Sequence, residues 1–141
     1  MSIWFFKATP ENINAANEKT IAKLIGIEVL EIGDDFIRAR MPVDERTHQP
    51  YGILHGGASV VLAETLGSMG ANFVVDSSKY YCVGLDINAN HISSVRSGWV
   101  EGVAKPIHIG RSTQVWEIRL TDEANKLVCI SRLTMSVLER K

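Results

Sequence analysis

The chain has 141 residues, 45% of them hydrophobic, and 15 basic against 16 acidic side chains for a net charge of −1. That length suits one domain, residues 1–141, able to bury roughly 70% of the surface of its unfolded chain. With the charges balanced and no basic block, neither nucleic acid nor an anionic membrane is expected as a partner. Cys82 and Cys129 show no metal or redox spacing. No basic-then-apolar leader opens the sequence, so a reduced cytoplasm is the expected compartment.

Met1 to Lys7 is a short apolar lead with Trp4, Phe5 and Phe6, expected to pack on the body or to cover a neighbour. Thr9-Pro10-Glu11 starts a helix, with Thr9 as N-cap and Pro10 in the first turn. Ile13, Ala16, Ile21 and Leu24 predict one apolar face for it, ending at Gly26. Ile27 to Ile32 reads as a strand and Gly33-Asp34-Asp35 as a hairpin turn. Phe36 to Val43 alternates, with Ile37, Ala39, Met41 and Val43 on one face and Arg38 and Arg40 on the other; Pro42 marks a strand end or edge. Asp44 to Tyr51 is a polar loop.

From Gly52 to Val75, only His55 and Glu64 can carry charge near neutral pH. Glycines 52, 56 and 57 come first. From Ala58 onward the stretch reads as a helix apolar on nearly every side, the pattern of a buried helix. Glu64, Asn72 and the four glycines after Gly52 interrupt the stretch too often for a membrane span. A carboxylate in such a helix is costly unless paired, hydrogen-bonded or protonated. No cation lies one turn away, so Glu64 either finds a structural partner elsewhere in the fold or lines a cleft as base or nucleophile. The glycines admit two readings as well. They allow close packing of the helix start, or they let a ligand oxygen reach the N–H of Gly56 or Gly57 as an oxyanion donor. From Gly56 to Glu64 is roughly 12 Å along a helix. A reacting carbonyl must sit within about 3–3.5 Å of both groups. If both act, they come from different subunits, which predicts a homo-oligomer with paired sites at a two-fold interface. Gln49 and His55 bracket the entrance to this place.

Asp76 to Tyr81 is a polar connector. Cys82 to Ile92 alternates, placing Val83, Leu85, Ile87 and Ala89 against Gly84, Asp86, Asn88 and Asn90. Gly98 to Ile107 is a further strand with Lys105-Pro106 at its end. Gly110 to Thr121 sets Gln114, Trp116 and Ile118 opposite Val115, Glu117 and Arg119. After a turn at 121–126, Leu127 to Leu138 closes the chain with Arg132 inside it. Strands joined by tight turns make an antiparallel sheet, and one sheet with one long apolar helix packs by curling around it.

The run Gln49-Pro50-Tyr51-Gly52-Ile53-Leu54-His55-Gly56-Gly57-Ala58-Ser59, followed by Leu62-Ala63-Glu64, resembles the hotdog-fold acyl-CoA thioesterases. The runs 83–91 and 110–116 and Ser131-Arg132-Leu133-Thr134 extend the resemblance over nearly the whole chain. It points to the bacterial 1,4-dihydroxy-2-naphthoyl-CoA thioesterases and related aryl-CoA thioesterases of menaquinone and enterobactin pathways. It implies an α+β hotdog fold, a curved antiparallel sheet of about six strands around one long helix, assembled as a homodimer or homotetramer. It implies Glu64 as nucleophile or general base, the Gly56 N–H as oxyanion donor, and Gln49 and His55 near the thioester carbonyl. Ser68 resembles the hydroxyl that helps to hold the carboxylate or the attacking water. The CoA arm would run past Gly84, past His91, Ile92, Ser93 and Ser94, and past His108, Ile109, Gly110, Arg111, Ser112 and Thr113, with Arg111 the candidate phosphate contact. Ser93 departs from the family, which often has an arginine there. No cofactor or metal is implied. A carrier-protein thioester is an alternative donor. The rival readings are a hotdog hydratase or dehydratase and a non-catalytic acyl-CoA-binding module.

Overall fold

The computed structural model of the protein describes residues 1–141. Six strands form one antiparallel sheet in the order β1-β2-β4-β5-β6-β3, and the long helix α3 lies in its hollow. The strands are β1 (Glu28–Ile32), β2 (Ile37–Pro42), β3 (Tyr80–His91), β4 (Trp99–Ile109), β5 (Thr113–Asp122) and β6 (Leu127–Glu139). The helices are α1 (Pro10–Ala16), α2 (Ile21–Leu24) and α3 (Gly56–Val74). This is the hotdog arrangement.

Alternation decides which strand face turns inward. Ile37, Ala39 and Met41 of β2 are fully buried under α3, while Arg38 and Arg40 point outward to pair with Glu31, Glu101 and Glu28. On β5, Gln114, Trp116, Ile118 and Leu120 face inward. Trp116 carries the core. Its ring stacks on Trp4 with centroids 6.2 Å apart, and its Nε1–H donates to Gln114 Oε1 at 2.8 Å. A Cβ on Gly70 would come within 2.7 Å of the same ring, so the helix approaches as closely as it does because residue 70 has none. Gln114 Nε2 donates in turn to the Ala71 carbonyl at 3.2 Å. A buried amide is satisfied in this way, and helix and sheet are joined.

Three expectations need correction. The N-terminal helix is broken in two. Thr9 caps α1 as expected, its Oγ1 accepting from Asn12 N–H at 3.1 Å, but the helix ends at Asn17. Thr20 Oγ1 donates back to the Asn17 carbonyl at 2.8 Å and starts α2 in a new phase. Ile13 and Ala22 therefore face inward, while Ile21 and Leu24 lie on the surface. On β3, the pairing shifts between Gly84 and Asp86, leaving Leu85 as an extra residue. A bulge reverses the phase of alternation. Cys82 and Gly84 face the helix before it, and Ile87, Ala89 and His91 after it, each opposite an inward residue of β6. Val83 and Leu85 are exposed. On β4, the strand runs on through Pro106 to Ile109, because a second shift between Pro106 and His108 absorbs the missing N–H.

Trp116→Ala should cost about 3–5 kcal/mol of stability, the range for emptying a buried aromatic site. Urea unfolding would measure it, and a loss below about 1 kcal/mol would show that the core does not depend on this ring.

Candidate active site

The loop from β2 to α3 is tied down before it reaches the helix. Thr47, buried, donates its hydroxyl to the Pro42 carbonyl at 2.7 Å and accepts His55 N–H on its own carbonyl at 2.8 Å. Leu54 N–H reaches the Val95 carbonyl at 2.8 Å. Residues 49–53 close a tight turn, with Gly52 at φ 74°, a backbone angle that favours glycine.

This framework divides up the donors at the start of α3. Gly57 N–H donates to His55 Nδ1 at 2.7 Å, and Ala58 and Ser59 N–H donate to the His55 carbonyl at 3.0 and 3.3 Å. Gly56 N–H donates to no group of the chain. Of the two glycine donors left open by the sequence, Gly57 is occupied and Gly56 is free. Because Nδ1 of His55 accepts, its neutral ring carries the proton on Nε2. The Gln49 amide is oriented likewise: its Oε1 accepts Tyr51 N–H, which leaves Nε2 as a donor without a partner. Gly56 N–H and Gln49 Nε2 are both free to bind an oxyanion.

Both residues line one cavity of about 340 Å³. Its walls add His91, Ile92, Ser93 and Ser94 from the end of β3, apolar groups from Ile53, Leu54 and Val128, and Ser59 from the next turn of α3. His91 Nε2 packs against Gly56, 2.9 Å from where a Cβ would stand. The Ser93 hydroxyl is taken up by the Leu127 carbonyl at 2.6 Å. Ser59, almost fully buried in this wall, was not singled out by the sequence; a small polar residue in an apolar helix was its one signal.

Glu64 is not in this cavity. It lies two turns further along α3, exposed, with Oε2 2.8 Å from the place a Cβ of Gly84 would fill. The helix is thus not buried on every side. Leu62, Ala63, Leu66, Gly67, Gly70 and Ala71 face the sheet, and Gly57 and Glu64 are open, because one sheet covers only one side. Ser68 follows Glu64 by one turn and is half-buried. Asn72 follows Ser68 by another and binds the backbone of Cys82. In the sequence Asn72 stood out only as an interruption of the apolar run; its signal was the repeat of polar residues every fourth position.

The segments assigned to the CoA arm fall at opposite ends of β3. His91 to Ser94 sit by Gly56. Gly84 sits by Glu64, and the β4–β5 hairpin carrying His108, Ile109, Gly110, Arg111, Ser112 and Thr113 lies at that same end, since Thr113 pairs with Ser136 and Ser136 with Val83. Arg111 and Ser112 are exposed in the turn. A larger hollow of about 430 Å³ on the outer face, around Arg40, Trp99 and Glu101, contains none of these residues. No three or more His, Cys, Asp or Glu side chains are grouped to hold a metal ion. Burial pushes the Cys82 and Cys129 thiols above their usual range, away from the thiolate that a cysteine nucleophile needs.

With this geometry in place, relatives identify the class. The thioesterase superfamily profile matches residues 51–129, and the chain belongs to that family. A putative esterase of Pseudomonas aeruginosa is 54% identical over 138 residues, 98% of this chain and 95% of its own. The 1,4-dihydroxy-2-naphthoyl-CoA hydrolase of Escherichia coli is 50% identical over 136 residues, 96% of this chain and 99% of its own. A crystal structure of a mutant Pseudomonas aeruginosa thioesterase superposes with a TM-score of 0.96 at 52% identity, over 99% of this chain and 100% of that one. The protein is a thioester hydrolase of the hotdog fold.

The cap at His55 can be tested separately from chemistry. His55→Ala should lose about 1 kcal/mol of stability with the acceptor for Gly57 N–H, and His55→Asn, whose side-chain oxygen replaces that acceptor, should recover most of it. Equal urea midpoints for the two variants would show that the cap contributes nothing.

Proposed function

We propose that the protein hydrolyses an aromatic acyl-CoA thioester, of the hydroxynaphthoyl or hydroxybenzoyl type, to the free acid and CoA, at sites shared between two copies of the chain. The observation that carries this is the separation of parts: free oxyanion donors on Gly56 and Gln49 at one end of α3, and the Glu64 carboxylate two turns away. The similarity to the Escherichia coli 1,4-dihydroxy-2-naphthoyl-CoA hydrolase supports the aromatic acyl group.

Strand β3 supports the sharing. It is an edge strand of the sheet, and Val83 and Leu85 expose apolar surface on it. Edge strands are templates for pairing. Antiparallel pairing of β3 with its own copy about a two-fold axis sets the His91 end of one chain beside the Gly84 end of the other. Glu64 of the second copy then faces Gly56 of the first, at a homodimer interface that a homotetramer would contain twice. The same pairing joins His91, Ile92 and Ser94 to Gly84 and the 108–113 hairpin in one track for the CoA arm, with the Arg111 guanidinium free for a phosphate.

In this site the thioester oxygen accepts from Gly56 N–H and Gln49 Nε2. Negative charge growing on that oxygen is stabilised by the positive end of α3. Glu64 attacks the carbonyl carbon to form a mixed anhydride that water then opens, or it takes a proton from water as the water attacks. Either route expels the CoA thiolate and leaves the carboxylic acid. Ser68, one turn beyond, steadies the carboxylate or the water, and His55 presents its Nε2–H beside the carbonyl.

Glu64→Gln should lower kcat by about 10² or more, read as free thiol released from benzoyl-CoA, 1,4-dihydroxy-2-naphthoyl-CoA, a medium-chain acyl-CoA and an aryl-carrier-protein thioester. Faster turnover of the medium-chain substrate by the wild type would overturn the aromatic assignment, and preference for the carrier thioester would replace CoA as donor. Sharing is tested by co-expressing Glu64→Gln and Gln49→Ala chains. Mixed dimers contain one intact site, so the mixture should recover about a quarter of wild-type turnover when neither parent is active alone. A mixture no faster than its parents would place both groups in one chain.

A further inference from the structure

We propose that Asn72 is a positioning residue for hydrolysis: its side chain holds strand β3 at the spacing from α3 that seats the Glu64 carboxylate against Gly84. This rests on the reading of Glu64 as the attacking or proton-accepting group.

Glu64, Ser68 and Asn72 recur every fourth residue and form one polar stripe on α3. The stripe lies along β3. At its far end Asn72 takes both polar groups of one peptide backbone residue: its Oδ1 accepts Cys82 N–H at 2.9 Å, and its Nδ2 donates to the Cys82 carbonyl at 3.3 Å. The same Nδ2 donates to the Ser68 carbonyl at 2.9 Å. One side chain thereby stands in for a neighbouring strand at Cys82 and fastens that residue to the helix turn between Glu64 and itself.

Gly84 comes two residues after Cys82, on the same face of β3. Glu64 Oε2 lies where a side chain at 84 would begin, and a Cβ there would be 2.8 Å away. The position of the carboxylate is therefore set by how far the strand stands from the helix at that point. Beside the Asn72 bonds, the Cys82 thiol donates to the Ala71 carbonyl of the helix at 3.5 Å. Pairing between β3 and β6 slips immediately after Gly84, and β3 has no second strand in the chain to stiffen it. The clamp at Cys82 is the nearest specific attachment of strand to helix.

A group that acts through Glu64 has a recognisable kinetic signature. Asn72→Ala should lower kcat by about 10–100-fold, the cost of misplacing a reacting group by about an ångström, with KM changed by less than about threefold. In the Glu64→Gln background the same substitution should leave the residual rate unchanged, because the group it positions is already gone. Gly84→Ala, at an exposed strand position, should reproduce the fall in kcat by displacing the carboxylate directly, and it carries the test if Asn72→Ala does not fold. Wild-type kcat in both variants, beside an inactive Glu64→Gln enzyme, would overturn this inference alone. So would an equal loss from Asn72→Ala in both backgrounds, since that is what a merely structural bridge produces. Undiminished turnover by Glu64→Gln would remove the reading of Glu64 and this inference with it.

Discussion

Helix α3 lies in the hollow of a single sheet, and a single sheet covers only one side of a helix. The side it covers is made of Leu62, Ala63, Leu66, Gly67, Gly70 and Ala71, small enough at 67 and 70 for side chains of β5 and β6 to press against the helix. That close approach places the Trp116 ring beneath Gly70 and buries Gln114, whose amide links the ring to the Ala71 carbonyl. The remaining side of the helix holds the polar stripe that begins at Glu64. An ordinary amphipathic helix would turn that stripe to solvent. Here it runs beside edge strand β3, where the Cys82 backbone receives Asn72 and Gly84 makes room for Glu64.

The start of the helix obeys a different constraint. Helix N-termini leave N–H groups without intrahelical partners, and each must be satisfied or exposed. In this chain His55 takes two of these donors, Gly57 N–H on its ring and Ala58 N–H on its carbonyl, and leaves Gly56. The turn at Gln49 spends that side chain's oxygen on Tyr51 N–H and leaves its nitrogen. What remains free beside the cavity are two N–H donors, on Gly56 and Gln49, which suits an oxygen that gains negative charge during reaction.

Much of this was legible in the chain itself. Arg38 and Arg40 between apolar neighbours gave the outer face of β2, and Thr9-Pro10 gave the start of α1. Local pattern failed where chain geometry changed phase. Val83 and Leu85 continue an alternation that reads as one inward face, but the bulge at Leu85 inverts it. Ile21 and Leu24 continue a helical period that Asn17 and Thr20 interrupt. A one-residue insertion in a strand, or a capped break in a helix, leaves composition unchanged, so periodicity carries no trace of it.

The sequence by itself determined the chemistry on offer: one carboxylate in an apolar helix, two glycines at its start, and a glutamine in the loop before it. It also determined that about 12 Å of helix separates Gly56 from Glu64, because helical rise is a local property. Tertiary structure decided which donors remain free, since that depends on where the His55 ring and the Gln49 amide turn. It decided that Gly84 adjoins Glu64 and that Asn72 binds Cys82, since helix and strand meet there across an interval that no local rule spans. Local rules govern what a segment can become; the partners of its polar groups are chosen only when distant segments pack.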